Sequence, residues 1–275
     1  MARSPDFIPD PEAPGLEIAR DAGVLRLRFA RSDRRNALTR AMMQRLIDHV
    51  EGAVDEPALR ALVFEAEGPD FCAGADLVDV NARSESKPRV GDIQRRLPRQ
   101  AHRLIPALLT VELPVVAVVR GVASGLGAHL ALASDFVVAS ETLRLVEPFV
   151  ARGFTPDSGG SFLLPRLVGL ARARDVLLLG REIDAETAAR WELVHRVVED
   201  GDLEATGEAL IAKLREAPTI ALGLTKRLLN RAFDVGLDEA LEAEAFALEL
   251  SSRTQDFQEG LAAFAEKRAP RYRGH

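Results

Sequence analysis

The sequence predicts an α/β fold: a mostly parallel sheet interleaved with helices, followed by a purely helical C-terminal region. Three observations carry this. Residues 114–119 read Pro-Val-Val-Ala-Val-Val, β-branched on both faces, as in a strand covered on both sides. Short apolar runs alternate with helix-length segments, the order of βαβ units. From about residue 201 onward only helical spacing is found.

Residues 1–16 are polar, hold Pro5, Pro9, Pro11 and Pro14, and read as a loose tail without the basic-then-apolar pattern of a signal peptide. Residues 24–29 alternate apolar and basic, which predicts a half-buried strand. Thr39 suits a helix N-cap, and Met43, Leu46, Ile47, Val50 and Val54 follow at helical spacing. A second strand is expected at 61–66, a third at 114–119, and further short ones at 136–139, 143–146 and 194–198. Between them, residues 81–99 are polar and basic and hold Pro88 and Pro98, which predicts a mobile loop or broken helix near a site. Helices are expected at 203–216, 220–233, 237–251 and 258–267. The resulting organisation is a tail (1–16), a core (17–200) and a helical region (201–275) that caps the sheet or packs on a neighbouring subunit.

Composition narrows the function. The 275 residues carry 36 basic against 42 acidic side chains, a net charge of -6, which disfavours nucleic acid as a general partner. No apolar run approaches the roughly 20 residues of a membrane helix. The lone Cys72 excludes an internal disulfide and fits a cytoplasmic location. The histidines show no ligand-like spacing, so no metal is expected.

Three segments carry candidate chemistry. Residues 71–77, Phe-Cys-Ala-Gly-Ala-Asp-Leu, follow a strand; small residues there let a ligand approach exposed N–H groups, although a plain tight turn explains them equally. Residues 120–130 form a glycine-rich strand-to-helix turn, suited to an oxyanion or to close helix–strand packing. In residues 153–161 Asp157 precedes an apolar helical run; it either caps that helix or is a carboxylate set among Phe149, Phe154, Phe162 and Leu163 for proton transfer. Cys72 reads as a small buried thiol, His129 as a base or a packed core histidine, and the arginines of 95–103 as a solvated face.

Taken in order, Arg35-Asn36-Ala37-Leu38, the 71–77 segment, Gly121 to Gly127, Pro156-Asp157-Ser158-Gly159-Gly160 and Glu259 to Phe264 with Lys267-Arg268 resemble the crotonase (enoyl-CoA hydratase/isomerase) superfamily over nearly the whole chain. The resemblance implies a spiral of ββα turns with a helical C-terminal region, assembled as a trimer or a dimer of trimers. It implies an acyl-CoA substrate, with coenzyme A as part of that substrate and no separate cofactor. It assigns the oxyanion donors to the backbone N–H groups of Ala75 and Leu126. Arg35, Ala37, Ala73, Asp76 and Leu77 fall where the family holds CoA, and Phe264 and Lys267 match its C-terminal CoA contacts. Family hydratases carry two glutamates; the matching positions here are His129 and Phe149. Asp157 instead matches the catalytic aspartate of family isomerases. Residues 149–168 are similar to the ring-1,2-epoxyphenylacetyl-CoA isomerases of phenylacetate catabolism. The resemblance thus implies double-bond isomerisation with Asp157 as acid/base. The alternatives are a hydratase using His129 or Glu147 with Asp157, an Asp157-nucleophile hydrolase or dehalogenase, or a non-catalytic acyl-CoA-binding subunit.

Overall fold

The computed structural model describes residues 5–76 and 90–275. Leu77 and residues 81–89 of the basic segment lie outside the described residues.

Seven strands form the main sheet: β1 (Ile8–Pro9), β2 (Leu16–Asp21), β3 (Val24–Phe29), β4 (Ala61–Ala66), β5 (Val115–Val119), β7 (Phe136–Ser140) and β10 (Arg196–Val198), in the order β1-β2-β3-β4-β5-β7-β10. From β3 to β10 every pairing is parallel, while β1 and β2 add an antiparallel edge. Three strands, β6 (Val122–Ser124), β8 (Arg144–Val146) and β9 (Ile183–Asp184), form a second sheet. Two isolated parallel bridges, Cys72 to Ala123 and Leu38 to Ala75, lie beside β6 and between the first two chain passages.

Each passage repeats one motif. The chain runs along the main sheet, crosses to the second layer and returns through a helix. Thus β3 leads through Leu38 to α1 (Arg40–Gly52), β5 through β6 to α4 (Leu126–Leu132), and β7 through β8 to α5 (Gly160–Leu179). Two short helices, α2 (Asp92–Arg96) and α3 (Ala101–Thr110), precede β5. The candidate site forms where these passages cross the second layer.

The period-two reading of the strands is met on both faces. Leu25, Leu27, Phe29, Leu62, Phe64, Val115 and Ala117 enter the main core with α1 and α3. On the opposite face Val24, Ala61, Val63 and Val116 pack against Ile211 and Leu214 of α7 (Leu203–Arg215). Arg26 also lies on that face, almost fully buried, and is neutralised by Glu208 of α7 at 2.7 Å. Thr39 caps α1 as expected, accepting from Met42 N–H.

The N-terminal segment departs from the expected tail. Ile8–Pro9 pairs with β2, and Asp10, Ala13 and Leu16 are buried. Burial pushes the Asp10 carboxyl up, but hydrogen bonds from Arg45, the Glu12 N–H and His49 outweigh it and hold it below the ordinary range. Polar composition concealed an edge strand whose polar groups are paired rather than solvated.

Beyond the sheet come α6 (Ala185–Arg190), α8 (Thr219–Arg231), α9 (Leu237–Ser251) and α10 (Gln255–Glu266). None of α9 is buried: Leu237, Leu241, Phe246, Leu248 and Leu250 are all exposed. The C-terminal tail folds back on α10, with the N–H groups of Arg273 and Gly274 donating to Asp256.

Candidate active site

Two backbone N–H groups converge by construction. Leu38 N–H donates to Gly74 O and Asp76 N–H to Leu38 O, both at 2.8 Å. Residues 74 and 76 therefore face Leu38, and in the extended chain between them Ala75 N–H points the other way. Leu126 opens α4, so its N–H has no acceptor within the helix. The two segments touch: a Cβ on Gly74, whose φ is +91°, would stand 2.7 Å from Ser124 O and 3.6 Å from Leu126 N. One on Gly127 would stand 2.3 Å from Cys72 O. Glycine at 74 and 127 is thus what allows Ala75 and Leu126 to approach.

The preceding loop is fixed by Asn36. It is fully buried with left-handed φ, accepts from Arg31 N–H, and donates to the carbonyls of Glu67 and Asp70. Arg35, also left-handed, accepts from Ala73 N–H through its carbonyl and donates to Asp70 at 2.9 Å. Asp70 in turn accepts from Val122 N–H at 2.8 Å, and Arg31 pairs with Asp76 at 3.1 Å. Main-chain bonds and these charges bring Arg35, Ala37, Ala73 and Asp76 to one rim.

Asp157 does not cap the helix that follows. The N-cap of α5 is Gly159, with no side-chain cap bond. The Asp157 peptide carbonyl accepts from His102 Nε2 of α3 at 2.7 Å. Among the described residues its half-buried carboxylate accepts no hydrogen bond. The expected apolar enclosure is partial in one chain, since Phe154 and Phe162 are exposed while Phe149 and Leu163 are buried.

His129 is 0% exposed, with both ring nitrogens occupied: Nε2 meets Glu147 Oε1 at 2.9 Å and Nδ1 meets Ser158 Oγ at 2.6 Å. Phe149 stacks on the ring, with centroids 5.9 Å apart. As the 143–146 run predicts, β8 ends at Val146, and Glu147, just beyond it, turns onto His129. Its Oε1 is engaged, while its buried Oε2 has no partner. Cys72 is buried and its thiol is pushed up to about 12 by burial, which makes it an inert packing group.

Phe264 is 86% exposed, and Lys267 is the exposed left-handed C-cap of α10; both face outward from a single chain, apart from the loop cluster. Among the described residues no group of three His, Cys, Asp or Glu side chains could hold a metal ion, and no helix is long and apolar enough to cross a membrane. Sequence reasoning missed the parts played by Asp70, His102 and Ser158. Only Ser158 had a signal, its place between Asp157 and the Gly-Gly pair.

The segments that carry these groups match an established family. The enoyl-CoA hydratase/isomerase profile covers residues 19–275, and the chain belongs to that family, the crotonase superfamily of enzymes. It is 35% identical over 254 residues to the 1,2-epoxyphenylacetyl-CoA isomerase of Escherichia coli K12, covering 92% of this chain and 96% of that one. It is 34% identical over 234 residues to the crotonyl-CoA hydratase of Syntrophomonas wolfei, covering 85% and 88%. The crystal structure of an enoyl-CoA hydratase/isomerase from Cupriavidus metallidurans CH34 superposes with a TM-score of 0.87 at 31% identity, covering 95% of this chain and 97% of that one.

Proposed function

We propose that the enzyme isomerises the double bond of an acyl-CoA thioester, with Asp157 as the single acid/base. The observation that carries this is the contrast between carboxylates: among the described residues the Asp157 carboxylate accepts no hydrogen bond, whereas Glu147 is committed to His129. In a β,γ-unsaturated thioester, the Asp157 carboxylate takes the proton α to the carbonyl. The electron pair delocalises onto the thioester oxygen, where Ala75 and Leu126 N–H groups hold the developing charge. Protonated Asp157 then returns the proton at the γ carbon, leaving the α,β-unsaturated thioester and a carboxylate ready for another cycle. One such N–H donor is worth about 2.7–4 kcal/mol of transition-state stabilisation.

The CoA portion lies along Arg35, Ala37, Ala73, Asp76 and Leu77 in this reading, with Phe264 and Lys267 completing it from a neighbouring copy. The bare apolar face of α9, with Phe257, Leu261 and Phe264 exposed on α10, supports a homo-oligomer, a trimer or a dimer of trimers. The 1,2-epoxyphenylacetyl-CoA isomerase relative supports an isomerase reading in preference to a hydratase one.

A hydratase is the second reading. The unpartnered Glu147 Oε2 favours it, because a buried carboxylate oxygen can hold a water. An ultraviolet assay separates the two. Conjugation gained from a 3-enoyl-CoA, with a 2-enoyl-CoA unchanged, supports isomerisation; conjugation lost from the 2-enoyl-CoA alone refutes it. Asp157→Asn is expected to lower isomerase kcat by about 10²–10⁴ while CoA-thioester binding persists. Unchanged turnover in that variant removes Asp157 from the mechanism.

A further inference from the structure

The buried Ser158–His129–Glu147 chain joins three segments that otherwise meet only through packing. His129 lies on α4, three residues after the oxyanion donor Leu126, and its own N–H bonds Gly125 O at 2.9 Å. Glu147 directly follows Val146, whose carbonyl accepts from Gly125 N–H at 2.9 Å. Ser158 directly follows Asp157. The ring therefore contacts the residues adjacent to both functional elements and is itself closed to solvent.

Its fit leaves no slack. A Cβ on Gly160 would stand 2.3 Å from His129 Nε2, so the first turn of α5 lies directly on the imidazole. Phe149 closes the ring's face, and Gly125 approaches the same Phe149, its Cβ position being 3.5 Å from the ring tip. The Glu147 carboxylate accepts from Nε2–H, and the Ser158 hydroxyl completes the hydrogen bond on the Nδ1 side at 2.6 Å. A histidine packed only for the core would need its partners anywhere; these two flank the catalytic pair.

We propose that His129 is a positioning residue, whose hydrogen bond to Ser158 keys the acid/base loop to the oxyanion helix and sets where the Asp157 carboxylate stands. This rests on the reading of Asp157 as acid/base. His102 holds the Asp157 carbonyl from the α3 side, and His129 holds the next residue, Ser158, from the α4 side. Loss of the second anchor lets the carboxylate wander relative to the oxyanion hole. Misplacement of about 1 Å costs up to about 10²-fold in rate.

The test measures kcat and KM for 3-enoyl-CoA isomerisation in the full-length enzyme, with thermal unfolding as a check on folding. Ser158→Ala is expected to lower kcat about tenfold with KM within about twofold, and Ser158→Thr, which restores a hydroxyl, to recover most of the loss. In an Asp157→Glu background, where the carboxylate is already displaced, Ser158→Ala is expected to add less than about twofold. An unchanged kcat in Ser158→Ala overturns the proposal, as does the same fold-loss in both backgrounds, which marks a general structural effect. If Ser158→Ala does not fold, Ser158→Cys, which keeps the volume but is a weak hydrogen-bonding group, replaces it in the two backgrounds under the same criterion. Wild-type turnover reports separately on the isomerase reading: a wild-type enzyme that fails to isomerise refutes that reading, whereas wild-type turnover with an indifferent Ser158 refutes only the keying.

Discussion

Gly127→Ala sets two principles against each other with opposite signs. Gly127 lies inside α4, and replacing a helical glycine with alanine ordinarily stabilises by about 1 kcal/mol. Here the added methyl would stand 2.3 Å from Cys72 O, 2.7 Å from Cys72 Cβ and 2.9 Å from its sulfur. The nearest of these is backbone, held by Ser124 N–H donating to that same carbonyl at 2.8 Å, so no side-chain rotation relieves the overlap. Overpacking costs about 1–3 kcal/mol, and a backbone clash this close belongs at the upper end. The net expectation is a loss of about 2 kcal/mol and a fall in Tm of roughly 4 °C or more. The larger effect is on turnover. Relief requires α4 to move away from the 72–75 segment, which separates Leu126 N–H from Ala75 N–H. Losing the action of one oxyanion donor costs about 10²–10³ in kcat. Differential scanning calorimetry and the ultraviolet isomerase assay on the purified variant measure both quantities. A raised Tm with kcat within about threefold of wild type would refute the argument that close approach at Gly127 assembles the oxyanion hole.

Two further outcomes follow from buried and exposed charge. Lys226 of α8 pairs with Asp135 at 2.7 Å; burial lowers the lysine's pKa and raises the aspartate's against their mutual attraction. Lys226→Met strands the Asp135 carboxylate with only Val115 N–H, and chemical denaturation should show a loss of about 3 kcal/mol; a loss below about 1 kcal/mol contradicts it. At the C-terminus, hydrogen bonds from Arg268 and from Arg271 N–H hold Glu259 down at about 2, against an ordinary 4.5. The folded value is depressed, so its stabilising contribution is complete above the unfolded value and fades as pH falls from about 4.5 to about 2. Nuclear magnetic resonance titration of the Glu259 carboxyl carbon should give a midpoint near the lower value, and a midpoint near the ordinary one shows that the tail is undocked.

Much of the architecture was legible because it is periodic. Residues 61–66 and 24–29 alternate between two cores, and the strand at 114–119 lacks a polar face because α7 covers its back. The edge hairpin of β1 and β2 was not legible, since its polar side chains are satisfied by partners distant in sequence, such as Asp10 with Arg45. The same limit governed the site. Glycine-rich turns announce where backbone approaches backbone, so the Ala75 and Leu126 segments could be singled out. The turn of Glu147 onto His129, just past the end of β8, was not legible, because it depends on a partner distant in sequence.

That contact bears on the chemistry. His129 and Phe149, the positions that the resemblance matches to the glutamates of family hydratases, stack their rings on each other. The pair fills, with an aromatic sandwich, volume that two carboxylates and a water would otherwise need. Glu147 engages that sandwich through Oε1 from the side, and Ser158 anchors its other edge. On the proposed isomerase reading, a change to hydration would require more than a carboxylate at 129: Glu147 and Ser158 would lose their common partner, and Gly160 would face a different side chain at contact distance. Substitution at His129 should accordingly disturb the Asp157 loop before it introduces any new proton-transfer group, and the variant's first symptom should be lower isomerase kcat rather than acquired hydratase activity.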